Sequence, residues 1–417
     1  MDELLRSHGE AIVHSAIRSV LPDEAVVRAL SGKQFAGRVL LVAAGKAAWQ
    51  MAKVGYDCLG SCISGGVVIT KYHHVKGPIA NFVCYEAGHP VPDENSFSAT
   101  QAALNLVADL TEQDTVLFLL SGGGSALFEK PLIPGEELQD ITRQLLACGA
   151  DIVEINTIRK RLSGVKGGRF AQHCAPAQVV SVVLSDILGD PLDMIASGPA
   201  CPDSSTCAQA LHIAEKYKLQ LSEKAWALLQ QETPKQLWNV TTQITGSVRQ
   251  LCNGAAKACR ELGYSPVILT DQLCCQAKEA GSFLASILKT HRDTKQNLAF
   301  IAGGETVVQL TGSGLGGRNQ ELALAAAEGI SGLTGAAVFS VGSDGTDGPT
   351  DAAGGYADNQ TAEELKKQGI DIFEVLQAND AYHALQKVNG LIMTGPTGTN
   401  VNDVAVALLR GEENNGV

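Results

Sequence analysis

The sequence predicts an α/β protein of two doubly wound domains, the first larger than the second, with a cleft between them. Short apolar runs without polar alternation recur along the chain, separated by helical patterns. Such runs belong to sheets buried on both faces, chiefly parallel ones. The rhythm pauses in a polar stretch after Pro199 and restarts beyond Glu232 and Pro234. A length of 417 residues is more than one core usually organises, and 44 glycines with 5% aromatics favour a loop-rich α/β protein over a β-sandwich. We place the boundary after residue 235, giving domains 1–235 and 236–417.

Element by element, residues 1–21 carry apolar side chains at helical spacing and read as a surface helix. Residues 39–43 (VLLVA) form the first strand, ending at Gly45 and Lys46 before an Ala-rich helix. Residues 66–70 and 81–85 are further strands. The clearest strand, 114–120 (DTVLFLL), runs into Ser121, Gly122, Gly123, Gly124 and Ser125. Helices at 135–148 and 151–165 lead to strand 179–184, which ends at Ser185 and Asp186. The second half gives helices at 248–262, 277–290 and 319–330 and strands at 267–269, 298–302 and 336–341. The hydroxyl- and glycine-rich turn 394–402 (TGPTGTNVN) precedes an expected C-terminal helix.

A net charge of −12 and a pI near 5.2 argue against nucleic acid or an anionic membrane as partner, since both call for a positive footprint. No apolar run reaches the length of a membrane span. The N-terminal segment lacks the apolar core of a signal peptide, so a cytoplasmic protein is expected. The eleven cysteines form no C-x-x-C pair and read as reduced thiols.

In open α/β sheets ligands bind beyond the carboxyl ends of the strands. Several polar turns fall there: Gly45-Lys46, the Ser121 to Ser125 turn, Ser185-Asp186, Gly303-Gly304-Glu305 and Ser343-Asp344-Gly345. Each alone is equally an ordinary tight turn. Their convergence is what points to a site. Lys46 opens a helix, where a cation is unfavourable unless an anion sits beside it. Residues 302–321 place six glycines, Arg318 and two carboxylates between a strand and a helix, a composition suited to close approach of backbone to phosphate or carboxylate. Within it Gly312, Gly314 and Gly317 match the dinucleotide fingerprint, but the acidic residue expected about twenty positions on is missing. Residues 159–169 (RKRLSGVKGGR) hold five basic residues, read either as a solvated helix face or as anion contacts through Lys160 and Lys166, with Asn156 upstream as a cap or ligand contact. Asp344, Asp347 and Asp351 lie on a Gly-rich loop that serves turn capping or, with phosphates present, Mg²⁺. His73, His74 and His89 read as turn caps or packing groups.

Six blocks occur in order: LSGGGSAL, EINTIRKRLSGVKGGR, LSDILGDPLDMIASGP, GGRNQELALA, SDGTDGPTDAAG and TGPTGTNVND. Together they resemble the MOFRL-type glycerate kinases, over residues 40–409. The resemblance implies a larger Rossmann-like N-terminal domain, a smaller C-terminal domain and ATP- and Mg²⁺-dependent phosphorylation of D-glycerate, giving 2-phosphoglycerate. It puts the family's active-site lysine on Lys46 and its arginine on Arg318, and makes the Ser121 to Ser125 turn a phosphate or substrate loop. Glu305, Gly316, Gly317 and Asn319 join the binding candidates, Asp186 is the candidate proton acceptor, and Asp344 or Asp347 would position the metal. Cys275-Gln276-Ala277 stands where many relatives have Gly-Glu-Ala. Some relatives have carried a hydroxypyruvate reductase label, which keeps an NAD(P)H-dependent reductase as the alternative.

Overall fold

The computed structural model describes residues 2–411 as two compact units, one of residues 22–245 and one of residues 2–21 with 246–411. The expected division at 235 thus differs from the observed one in two ways. The break falls ten residues later, and the N-terminal helix Glu3–Ser19 groups with the C-terminal part. The reason is burial. Leu5, Ile12 and Ala16 are fully enclosed, the helix packing against the helix Val248–Glu261.

The first unit is built on strands β1 (Val39–Ala44), β2 (Ile63–Lys71), β3 (Phe82–Ala87), β4 (Thr115–Leu120), β5 (Gln178–Leu184) and β6 (Val240–Gly246), in the order β3-β2-β1-β4-β5-β6. The pairs from β3 through β5 are parallel. Alternate residues of β1 serve two separate cores: Val39, Leu41 and Ala43 on one face, Val42 and Ala44 on the other. Both faces are covered, which is why the run carries no polar alternation. A smaller helical cluster around Leu138, Ile158 and Ala210 flanks this sheet.

The second unit is built on β7 (Ser265–Leu273), β8 (Leu298–Gly304), β9 (Ala336–Gly342), β10 (Gly354–Asp358), β11 (Leu391–Ile392) and β12 (Asp403–Leu409), in the order β11-β10-β9-β12-β8-β7. Only β7 and β8 pair in parallel; the other pairs are antiparallel. The sheet is therefore mixed rather than wholly parallel. The expected C-terminal helix is corrected to β12, a strand buried at every position between β8 and β9. The run DVAVALL is too short for a typical helix and carries β-branched valines on alternate positions. No helix of the described residues is long and apolar enough to cross a membrane.

Candidate active site

The strand order of the first sheet reverses between β1 and β4: β1 leads outward to β2, β4 to β5 on the other side. Such a reversal opens a crevice at the carboxyl ends of the two strands. Lys46 follows β1 there, and the Ser121 to Ser125 turn follows β4. The two loops are tied together. The Lys46 amide donates to the Gly122 carbonyl at 2.9 Å, and the Ala47 amide donates to Ser121 Oγ at 3.0 Å. Gly45 has φ +125°, and a Cβ on it would lie 2.2 Å from Ser121 Oγ, so only glycine allows this closure. Ser121 is buried and acts as a strut. Beneath the turn, Phe118, Phe128 and Phe170 pack with ring centroids 4.7–5.5 Å apart. Gly123, with φ +85°, starts the short helix Gly124–Leu127. The Lys46 side chain is half-buried and pairs with no carboxylate among the described residues. Asp186, beyond β5, also reaches this point, since a Cβ on Gly122 would lie 2.4 Å from its Oδ2.

Asn156 does not face the crevice. It is buried, and its Oδ1 accepts from Ser197 Oγ at 2.8 Å, which in turn lies 3.1 Å from Ser125 Oγ. Ala196 and Ser197 hold φ values of +50° and +61°, a conformation costing on the order of 1–3 kcal/mol per residue. That segment braces the loop: a Cβ on Gly124 would lie 2.7 Å from the Ala196 Cβ.

The basic run 159–169 is neither a solvated face nor an anion site. Lys160 is fully buried, 3.0 Å from Asp203 and 3.2 Å from Asp193. Lys166 is fully buried, 2.7 Å from Glu129, and donates to the Phe128 carbonyl at 3.0 Å. Burial pushes the Lys166 ammonium down to about 8, with Glu129 opposing. Arg159 donates to the Ser125 carbonyl at 2.9 Å, and Arg169 to the Ser163 carbonyl at 2.6 Å. These cations hold the framework under the loop. Their partners Glu129, Asp193 and Asp203 lie outside the run, so its charge pattern gave no sign of them.

In the second unit, polar groups gather where β8 and β9 end and β12 begins, because Asp403 stands opposite both Gly304 and Gly342. Arg318 opens the helix Arg318–Ile330 and holds Asp403 in two hydrogen bonds, Nε to Oδ2 at 2.5 Å and Nη2 to Oδ1 at 3.1 Å. Its Nη1 donates to Glu305 Oε1 at 2.8 Å. Burial works against the guanidinium's charge, but Asp403 and Glu305 outweigh it and hold Arg318 above its ordinary value. Burial pushes the Asp403 carboxyl up to about 6, against the pull of Arg318.

Asp347 is buried and caps that helix, Oδ1 accepting from the Asn319 amide at 3.1 Å and Oδ2 from the Gln320 amide at 2.9 Å. Asn319 is buried too, bonded to Asp347 and Ser340. Asp344 is half-buried; its Oδ1 accepts from the Thr346 amide at 3.0 Å. No cluster of three or more His, Cys, Asp or Glu suited to a metal occurs among the described residues.

The glycines of 302–321 chiefly close against the protein's own chain. A Cβ on Gly312 or Gly314 would fall 2.4–2.6 Å from the Ala378 carbonyl oxygen, and one on Gly317 would lie 2.3 Å from the Asp347 carboxyl carbon. Their spacing therefore serves docking of this loop onto residues 378–380 and helix capping. It explains the fingerprint match without a dinucleotide. Gly316 packs more loosely, since a Cβ on it would lie 3.3 Å from the Ala381 nitrogen. Two side chains at these sites were passed over in the sequence. Asp403 closes the block TGPTGTNVND, where a carboxylate directly before a buried strand was the available signal. His89 is the other.

A family model described as a domain of unknown function (DUF4147) matches residues 8–230, and the MOFRL family model matches residues 298–403. D-Glycerate 2-kinase of Thermotoga maritima is 54% identical over 413 residues, covering 98% of this chain and 99% of that one. Glycerate 2-kinase of Pyrococcus horikoshii is 39% identical, covering 97% of each. The crystal structure of glycerate kinase from Thermotoga maritima superposes with a TM-score of 0.93 at 52% identity, covering 98% of this chain and 100% of that one.

Proposed function

The chain belongs to the MOFRL-type glycerate kinase family and is an enzyme of that kind; we propose that it uses ATP to phosphorylate D-glycerate at the C2 hydroxyl, giving 2-phosphoglycerate. The observation that carries the site assignment is Lys46 at the strand-order reversal, without a carboxylate partner among the described residues and bound through its amide to a glycine turn. Phosphoryl transfer asks for charge neutralisation and alignment more than for covalent chemistry. Lys46 offers a cation free to meet an anion, and the turn from Ser121 to Ser125 offers backbone donors for phosphate oxygens. Arg318 supplies the second cation. In this reading each is suited to hold an anion, be it the glycerate carboxylate or the transferred group. Arg318 must then exchange Glu305, which is 47% exposed, for the incoming anion, while Asp403 keeps the guanidinium oriented. The hydroxyl proton needs an acceptor beside the loop, and Asp186 is the one the sequence marks.

Mg²⁺ requires only one or two carboxylates when phosphates complete its shell. Asp344 fits, being half-buried with one oxygen engaged by its own turn. Asp347 does not fit, because both oxygens are spent on helix amides. When bound, the metal supplies further neutralisation of phosphate charge.

The same reading puts the enzyme in the reducing cytoplasm, supported by exposed thiols at Cys58, Cys62, Cys274 and Cys275. The test is one assay with D-glycerate, ATP and Mg²⁺, the product read by phosphorus NMR. A resonance for 2-phosphoglycerate is expected. Product at the 3-position overturns the regiochemistry, and oxidation of NAD(P)H by hydroxypyruvate without ATP would replace the kinase with the reductase.

A further inference from the structure

His89 lies in the loop after β3, two residues beyond Ala87. A Cβ on Gly123 would lie 3.0 Å from both Cδ2 and Nε2 of His89 and 3.2 Å from Lys46 Cγ. The Nε2 edge of the ring therefore rests on the glycine turn beside Lys46. The ring is half-buried and makes no hydrogen bond among the described residues. Its ring nitrogens have no protein partner among the described residues and stand beside the loop assigned to phosphate.

We propose that His89 Nε2 accepts the proton of the glycerate hydroxyl during transfer. This rests on the glycerate kinase reading and deepens it. The hydroxyl oxygen forms a bond to the terminal phosphorus of ATP, the bond from that phosphorus to the ADP oxygen breaks, and ADP leaves with the electron pair. The hydroxyl proton passes to Nε2 and then to solvent. A neutral imidazole suits this position better than Asp186. Asp186 Oδ2 stands against Gly122, whereas the Nε2 edge of His89 stands against Gly123 beside Lys46, and the imidazole takes up the proton without adding negative charge next to the triphosphate.

The surroundings agree. Burial, with the positive charges of Lys46 and Lys71, holds the imidazole below its ordinary value, so it is neutral at pH 7. The charged groups around it are Lys46 after β1, Lys71 at the end of β2, Asp93 against Gly88, and Asp186 against Gly122. Anionic substrates bound beside Lys46 offset the two ammonium charges and raise the ring's proton affinity in the complex.

The experiment compares wild type with His89→Gln and His89→Asn in the glycerate, ATP and Mg²⁺ assay. Both variants should lose on the order of 10²–10⁴-fold in kcat, with KM for either substrate within about threefold. Wild type should show an acid limb in kcat/KM below about pH 6.5 that lies at higher pH in kcat, and the variants should lack it. His89→Ala should regain turnover on addition of imidazole. A kcat within about threefold of wild type, or a loss confined to KM, overturns the proposal. So does an acid limb that survives in His89→Gln and vanishes in Asp186→Asn. The wild-type profile needs no variant to fold, and its lack of any acid limb would be equally decisive against it. Wild type without glycerate turnover would remove the kinase reading as well; turnover unaffected by His89→Gln removes only this assignment.

Discussion

Two buried-or-paired states of the same side-chain type separate chemistry from scaffolding here. Lys46 is half-buried and without a carboxylate partner among the described residues, whereas Lys160 is fully buried between Asp193 and Asp203. Lys46→Ala should lower kcat by roughly 10²–10⁵-fold while leaving the melting temperature close to wild type. Lys160→Ala should do the reverse, unfolding at lower denaturant because Asp193 loses this cation and Asp203 keeps Arg161, 3.8 Å away, in place of a 3.0 Å partner. Equal loss of kcat at unchanged stability in both variants would show the division to be wrong. Asp403 gives a pH-dependent counterpart. Its folded carboxyl is pushed up to about 6 from an ordinary 3.8, so between those values the folded state holds a proton that the unfolded state has released. Its contribution to stability must therefore fall as pH rises from about 4 to 6 and level off above. The melting-temperature difference between wild type and Asp403→Asn, followed across that window, should fall and then flatten. A difference that grows with pH would contradict the burial argument.

At the scale of elements, much of the fold could be read from apolar runs, because β1, β4, β5, β8 and β9 are buried at most or all positions. The C-terminal strand gives a weaker signal: seven residues with alternate valines are short for a helix, and the neighbours β8 and β9 then fix the run as a strand. Lys46 stood out because a cation at the expected start of a helix is costly without an anion, and Arg318 because it sits among the six glycines of residues 302–321. The basic run misled for the opposite reason: charge in a sequence says nothing of the carboxylates that tertiary structure brings to it. Lys166 and Glu129 make this testable. Lys166→Met alone leaves Glu129 buried with Arg159, 3.9 Å away, in place of its 2.7 Å partner, and should cost about 3–5 kcal/mol in urea unfolding. Adding Glu129→Leu should recover most of that loss. A double variant as unstable as the single one would mean that packing, rather than the weakened pairing, sets the penalty.

At the scale of the whole molecule, the chain begins in one unit, builds the other from residues 22–245, and returns at 246. The N-terminal helix thus completes a core whose strands are made more than two hundred residues later, a non-local closure that carries a loop-entropy cost. Its fit is close. Ser19 Oγ donates to the Gln250 carbonyl at 3.2 Å, and Gly254 is required because a Cβ there would lie 2.3 Å from that same oxygen. Thr399 Oγ donates to the Val20 carbonyl at 2.9 Å, and the Asp2 amide donates to Asp358 at 2.8 Å. Each fully buried Leu or Ile on this helix is worth about 1.5–3 kcal/mol. Deleting residues 1–21 should therefore strip amide protection from the helix Val248–Glu261 and from β9, while β1, β4 and β5 keep theirs. Hydrogen exchange read by mass spectrometry measures both sets in one sample. Uniform loss across the two sheets would mean that the units unfold as one, and unchanged protection at Val248–Glu261 would mean that the helix adds nothing to the core it covers.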